Sequence, residues 1–199
     1  MRIKSSRPGE PSGDRARHLD TEALERGIAS LRDPARAWTR EAGRVTLVVR
    51  RLEDGTREML EQTRLTLAEG VPGDDWSRRP PRDPEAQLAV MCTSLALLIA
   101  NGQPLTTFGD NLFVELDLSA DNLPTGTRLA VGTAEVEVTP KPHDGCAKFN
   151  ARFGNDALRF VQAPATRPEN RRGIYWKVVR EGGVSPGDPV RVLSRPRSA

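Results

Sequence analysis

The stretch L-A-V-G-T-A-E-V-E-V, Leu129 to Val138, sets the reading of the whole chain. Ala134, Val136 and Val138 fall on one side and Glu135 and Glu137 on the other. That period of two is the mark of a strand with one buried and one wet face. The pattern recurs outward in both directions. Upstream, Arg44 to Arg51 is rich in valine and leucine. Asp54-Gly55 is a hairpin turn signal, and Glu58 to Leu60 can return. Gln62 to Ala68 alternates, and Asn111 to Leu116 alternates again with Leu112, Val114 and Leu116 on one face. Gln87 to Cys92 reads as a buried strand. Downstream, Ile174, Trp176 and Val178 alternate, and Val190 and Val192 form a last strand.

Helical signals are fewer. Thr21 to Arg32 carries Leu24, Ile28 and Leu31 on one face, with Asp20 or Thr21 as cap and Pro34 just beyond. Ser94 to Ala100 is a short helix, and Cys146 to Val161 a helix pair broken at Gly154. Glu69 to Asp75 and residues 77–84 are loops rich in Gly, Pro and Asp. Many short strands, repeated G-D and P-x-G turns and few helices predict a mainly β protein, a closed or semi-closed barrel with short peripheral helices. The organisation expected is a disordered tail over residues 1–20, a helix and linker over 21–39, the barrel over 40–193 and a frayed end over 194–199.

The chain has 199 residues, 30 basic and 27 acidic, a net charge of +3. That balance is too even to argue for a nucleic-acid partner. Two cysteines argue against a disulfide framework. The longest apolar run, Leu88 to Ala100, is interrupted at Thr93 and Ser94 and falls short of the ~20 residues a membrane span needs. No signal-peptide order is evident, so a cytoplasmic setting is expected, where thiols stay reduced. Two histidines with no C-x-x-C or H-E-x-x-H predict no zinc site, and no G-x-G-x-x-G or Walker loop supports a nucleotide.

The strand at 134–138 runs into P-H-D-G-C-A-K-F, Pro142 to Phe149. Here Cys146 sits in a small polar turn rather than among apolar neighbours. Lys148 and a following helix N-terminus would favour its thiolate, a soft ligand suited to molybdenum or to persulfide sulfur. His143 can hold that thiolate or meet an anion, and Lys148 and Arg152 suit an anion just after the turn. Cys92, in V-M-C-T, reads as a small buried hydrophobe. Gly73-Asp74 and Gly187-Asp188 read as turn chemistry, and Asp110 and Asn111 as Asx residues closing a turn. Arg171 and Arg172 could meet a phosphate but are expected as exposed loop charge.

Four pieces occur in order: G-V-P-G-D-D-W at 70–76, F-G-D-N-L-F-V at 108–114, L-P-T-G-T-R-L-A-V-G-T-A-E-V-E-V-T at 123–139 running on to the cysteine turn, and G-V-S-P-G-D-P-V at 183–190. Together they resemble the MOSC domain, named after the C-terminal part of molybdenum-cofactor sulfurases, over roughly residues 40–193. The small stand-alone bacterial members, with a G-C-x-K-F turn leading to R-F-G, are the nearest in pattern. The resemblance implies a mixed-strand β-barrel with a functional cysteine matching Cys146, which either carries sulfur as a persulfide or ligates molybdenum of the pterin cofactor. It implies a cofactor contact for Asn111, whose stretch lines the family's pocket, alongside His143, Lys148 and Arg152. Two functions follow from it: a carrier in molybdenum-cofactor sulfur transfer, or a molybdenum-dependent reductase of N-hydroxylated compounds. A sulfur donor such as a cysteine desulfurase, or a molybdoenzyme or reductase, would be the partner. No pyridoxal phosphate is expected, because the domain that binds it in fused sulfurases has no counterpart here.

Overall fold

The computed structural model describes residues 7–32 and 38–196; Pro34, expected to end the first helix, lies outside them. Ten strands form. They are β1 (Ala42–Arg51), β2 (Arg57–Met59), β3 (Thr63–Leu65), β4 (Leu88–Cys92), β5 (Leu112–Val114), β6 (Arg128–Val131), β7 (Ala134–Val138), β8 (Ile174–Arg180), β9 (Gly182–Val184) and β10 (Pro189–Ser194). Seven of them close into a barrel in the order β10-β6-β7-β8-β4-β5-β1, with β1 pairing back onto β10. Every neighbouring pair is antiparallel except β4 and β5, which run parallel, so the barrel is mixed as expected. A parallel pair cannot be joined by a hairpin. The crossover is made by α3 (Thr93–Ala100) and the turn after it. β2 extends the sheet beyond β1, and β3 pairs with β9 as a separate ribbon.

The alternation that announced β7 fills the barrel. Ala134, Val136 and Val138 are buried, and the register places Val136 opposite Leu129 and Val178, and Val138 opposite Trp176. Glu137 points the other way and meets Lys177 at 2.8 Å on the outer surface. The same register fixes both faces of β4 and β8. Leu88 pairs with Trp176 and Val90 with Ile174 inside, so Ala89 and its partner Tyr175 face outward. β5 departs from the expected one-sided alternation: Leu112, Phe113 and Val114 are all buried. Its outward residue, Phe113, is covered by Phe108, whose ring meets it edge-on at 5.9 Å. This part of the barrel wall therefore carries a second apolar layer outside it.

That outer layer is built by helices. α1 (Thr21–Leu31), capped by Asp20, which accepts from the Ala23 N–H at 2.7 Å, buries Leu24 and Ile28 and packs against α3 and α5 (Asn155–Gln162). α4 (Ala147–Phe153) is separated from α5 by Gly154, at φ 91°. Phe149 and Phe153 of α4 lie against Phe108, with Phe153 stacked at 4.2 Å. Among the described residues no helix is long and apolar enough to cross a membrane.

Of the tail expected over residues 1–20, residues 1–6 lie outside the described residues, and residues 7–20 are placed against the fold. Residues 7–20 lie along the barrel wall with a short 3-10 turn at Arg15–Arg17. Apart from Leu19, which packs against the core, they are held by polar contacts, which is why their composition reads as unstructured.

Candidate functional site

The loop from β7 to α4 brings the cysteine turn back over the outward face of β4 and β8. Thr139 donates to the Glu85 carbonyl at 2.6 Å, and Gln162 on α5 donates to the Gly145 carbonyl at 2.7 Å. Gly145 packs so closely on α5 that a Cβ there would fall 2.4 Å from Leu158 Cδ1. Thus fixed, the loop sets Cys146 at the N-cap position of α4, exposed and with no side-chain capping bond. A cavity of about 260 Å³ opens beside it. Arg57, Lys148, Arg152 and Arg172 line it, with Phe108, Phe149 and Tyr175 as its flat apolar walls. Three of the four residues expected to bind with Cys146 are not spread over the surface. His143, Lys148 and Arg152 meet the cysteine at this one cavity.

His143 is the most constrained of them. Its side chain is 5 % exposed and its ring lies on Tyr175 at 4.3 Å. Burial, then the nearby Arg172 and Arg51 guanidinium groups, push its pKa well below the ordinary histidine value, so it is neutral. Its Nδ1 has no hydrogen-bond partner and stands 3.8 Å from Asp110 Oδ1, beyond hydrogen-bond reach. A buried, unpaired ring nitrogen beside a cavity is a group available to a ligand. Tyr175 is likewise kept un-ionised, by burial and then by the Asp110 charge.

Lys148 and Arg152 are not free to face the thiol. Lys148 Nζ meets the two carboxylate oxygens of Glu10 at 2.7 and 2.8 Å, and Arg152 donates to the same carboxylate at 2.8 Å. Asn111 does not line the cavity. It is buried beneath it, accepting from the Ala89 N–H at 3.2 Å and from Arg51 at 3.4 Å while donating to the Val49 carbonyl at 3.3 Å. Its amide ties β1 to β4 and β5, which corrects the expectation of a cofactor contact. Asp74 holds Arg51 and caps α2 (Asp75–Arg78), and Asp188 accepts from the Ser185 N–H at 2.8 Å, turn roles as expected.

The largest correction concerns Arg171 and Arg172, expected as exposed loop charge and both buried. Arg171 pairs with Glu25 and Glu169 at 2.7 Å each and lies over the Phe160 ring. Arg172 reaches into the cavity region and pairs with the buried Asp110. Arg57, from β2, was not singled out at all. It is 8 % exposed, and burial together with Arg152 and Arg51 lowers its pKa to about 10. No local signal marks Arg57 or Glu10; only the closing of the barrel brings them to a turn some ninety to one hundred and forty residues away in sequence. Cys92 is buried, and burial raises its thiol pKa to about 11, the inert role expected of it.

The fold is a closed mixed barrel, and an exposed cysteine lies at the rim of an aromatic-walled cavity rich in cationic side chains. The MOSC domain family model matches residues 65–191. The chain belongs to the MOSC domain family, a family associated with molybdenum-cofactor-related proteins. β1 precedes the match yet closes the barrel by pairing with β5 and β10. Among solved structures, YiiM from Escherichia coli aligns with a TM-score of 0.53 and 22% identity, covering 78% of this chain and 72% of its own. The YuaD protein from Bacillus subtilis aligns with a TM-score of 0.54 and 18% identity, covering 80% of this chain and 100% of its own. Both likenesses are of fold. The uncharacterized protein YflK of Bacillus subtilis is 34% identical over 90 residues, which are 44% of this chain and 37% of YflK. The chain thus matches little more than a third of that relative's length.

Proposed function

We propose that this protein carries sulfur for molybdenum-cofactor chemistry, with Cys146 as the carrier. The observation that supports this most is the placement of the one exposed cysteine, without a capping bond, at the rim of a cavity lined by five cationic side chains, Arg51, Arg57, Lys148, Arg152 and Arg172. A thiolate at Cys146 attacks the terminal sulfur of a donor persulfide. The donor's S–S bond breaks, the donor leaves as a thiolate, and a persulfide remains on Cys146 with no net oxidation. Arg57, Lys148 and Arg152 attract the anionic end of the group that gives or receives the sulfur. His143, being neutral, offers one hydrogen bond without adding charge.

The residues also suit the pterin cofactor. Cys146 is a soft donor for molybdenum, the cations suit a phosphate, and the Phe149 and Tyr175 rings suit a flat heterocycle. When bound, that group supplies two-electron redox chemistry at its metal. The chain itself would hold it through Cys146 and the cations and limit the approach of water with Phe108 and Phe149.

Purification from a molybdenum-replete host tests the proposal, with intact-mass, metal and pterin-fluorescence measurements on the native protein and on Cys146→Ser. One added sulfur on the native chain, absent from Cys146→Ser, is the expected result. Stoichiometric molybdenum, lost in Cys146→Ser, would replace the carrier with a cofactor-bearing reductase.

A further inference from the structure

One carboxylate already sits where an anionic ligand would. The Glu10 side chain is 8 % exposed, and its oxygens lie 2.7 and 2.8 Å from Lys148 Nζ, 2.8 Å from Arg152 Nη2 and 3.9 Å from Arg57 Nη2. The segment carrying it is fastened on both sides. Before Glu10, Arg7 donates to both Asp75 oxygens at 2.9 and 2.8 Å and to the Leu52 and Glu53 carbonyls at 3.1 and 3.0 Å. The Gly9 N–H reaches the Asp54 carbonyl at 3.0 Å. After Glu10, the Asp14 N–H donates to Gln103 Oε1 at 2.8 Å, and the His18 ring meets the Arg152 carbonyl at 3.1 Å. Gly13 lies against α4 so tightly that a Cβ would fall 2.1 Å from the Arg152 carbonyl oxygen.

These anchors are polar. No residue from 7 to 18 is fully buried, so lifting the segment exposes little apolar surface, and such segments open at low free-energy cost. The cavity beneath is small for its apparent task. Its 260 Å³ lies under the roughly 300–1,000 Å³ of ligand sites, and Glu10 is among the residues that fill its edge. One carboxylate carries a single charge to a cluster of three cations. An oxyanion with two charges, such as a phosphate group, has the stronger claim on them.

We propose that Glu10 is a built-in occupant of the oxyanion seat formed by Lys148, Arg152 and Arg57, held there by the amino-terminal strap until a phosphate-bearing ligand displaces it. This rests on reading the cavity as an anion site and does not depend on sulfur transfer by Cys146. Calorimetric titration of the full chain with inorganic phosphate tests it, comparing the native protein with Glu10→Gln and Gly13→Ala. The first variant removes the competing charge. The second keeps the charge but pushes the strap off Arg152.

The expected result is tighter phosphate binding in both, by about 10-fold or more in Glu10→Gln, a change of ~1.4 kcal/mol. Phosphate affinity equal to or weaker than native in folded Glu10→Gln overturns the proposal. If that variant fails to fold, as judged by its circular dichroism and melting curve, Gly13→Ala decides by the same criterion. Because phosphate is titrated without any sulfur donor, failure of this displacement and failure of Cys146 to load sulfur are separate results.

Discussion

Arg172 Nη1 donates to both carboxylate oxygens of Asp110, at 3.0 and 2.9 Å, and neither side chain is more than 8 % exposed. The pair bridges two loops that meet on the outer face of β4 and β8, one entering β5 and one entering β8. Asp110 Oδ1 also stands 3.8 Å from His143 Nδ1, so the guanidinium that adds to burial in keeping His143 neutral is itself held by Asp110. Removing Asp110 would leave an uncompensated buried cation. Asp110→Ala is therefore expected to destabilise the fold by about 3–5 kcal/mol, read from urea unfolding midpoints. A loss under about 1 kcal/mol would mean that Arg172 finds water or another partner at no cost.

The neutral state of His143 sets a pH dependence. Its pKa is held well below the ordinary histidine value by burial, Arg172 and Arg51. The unfolded chain therefore takes up a proton near pH 6.5 that the folded chain refuses. The stability contribution is full above about pH 6.5 and falls as pH drops below it, by up to ~1.4 kcal/mol per pH unit, until the folded value is reached. Carboxylates such as Glu10 and Glu169, held below their usual range, lose stability only in more acid solution. Equilibrium unfolding between about pH 6.5 and 5 should show this slope in the native chain and a flatter one in His143→Gln. Equal slopes would show that His143 is protonated in the fold.

The two cysteines should separate cleanly by reagent. Cys146 is exposed, whereas the Cys92 thiol is buried and its pKa is about 11. Iodoacetamide near neutral pH is expected to label Cys146 alone in the folded protein and both residues after denaturation, as read by peptide mass spectrometry. Labelling of Cys92 at a comparable rate would mean that β4 opens on the reagent's timescale.

Gly173 is where the buried Arg172 passes into β8. Its φ is 90°, and a Cβ there would fall 2.0 Å from the Val90 carbonyl oxygen. Gly173→Ala must shift β8 from β4 or strain the chain, so a loss of about 1–3 kcal/mol is expected, read from urea unfolding midpoints. A variant as stable as the native chain would show that the strand has slack at this point.

The barrel was legible because period-two alternation survives in β7 and β8 without help from distant residues: Glu135 and Glu137 face out, and Val136, Val138 and Trp176 face in. The centre of the site was legible because Cys146, His143, Lys148 and Arg152 share one turn and the helix after it. The rest depends on closure. Arg57 comes from β2 and Glu10 from a segment whose order comes from ion pairs and backbone hydrogen bonds, which leave no apolar period to read. Arg171 and Arg172 looked like surface charge because Glu25, which completes the Arg171 pairing begun by nearby Glu169, and Asp110, which pairs with Arg172, lie far away in sequence. Asn111 is a contact candidate only through the family resemblance, and its local sequence reads as a turn; only the meeting of β1, β4 and β5 shows it as a tie between strands.

The most direct test of Cys146 as the sulfur carrier is peptide mass spectrometry after incubating the folded protein with a persulfide-loaded cysteine desulfurase. One added sulfur on the peptide containing Cys146, none on that containing Cys92, and none on Cys146→Ser is the result this account predicts. An unmodified Cys146 after such exposure, or the same sulfur uptake in Cys146→Ser, would contradict it.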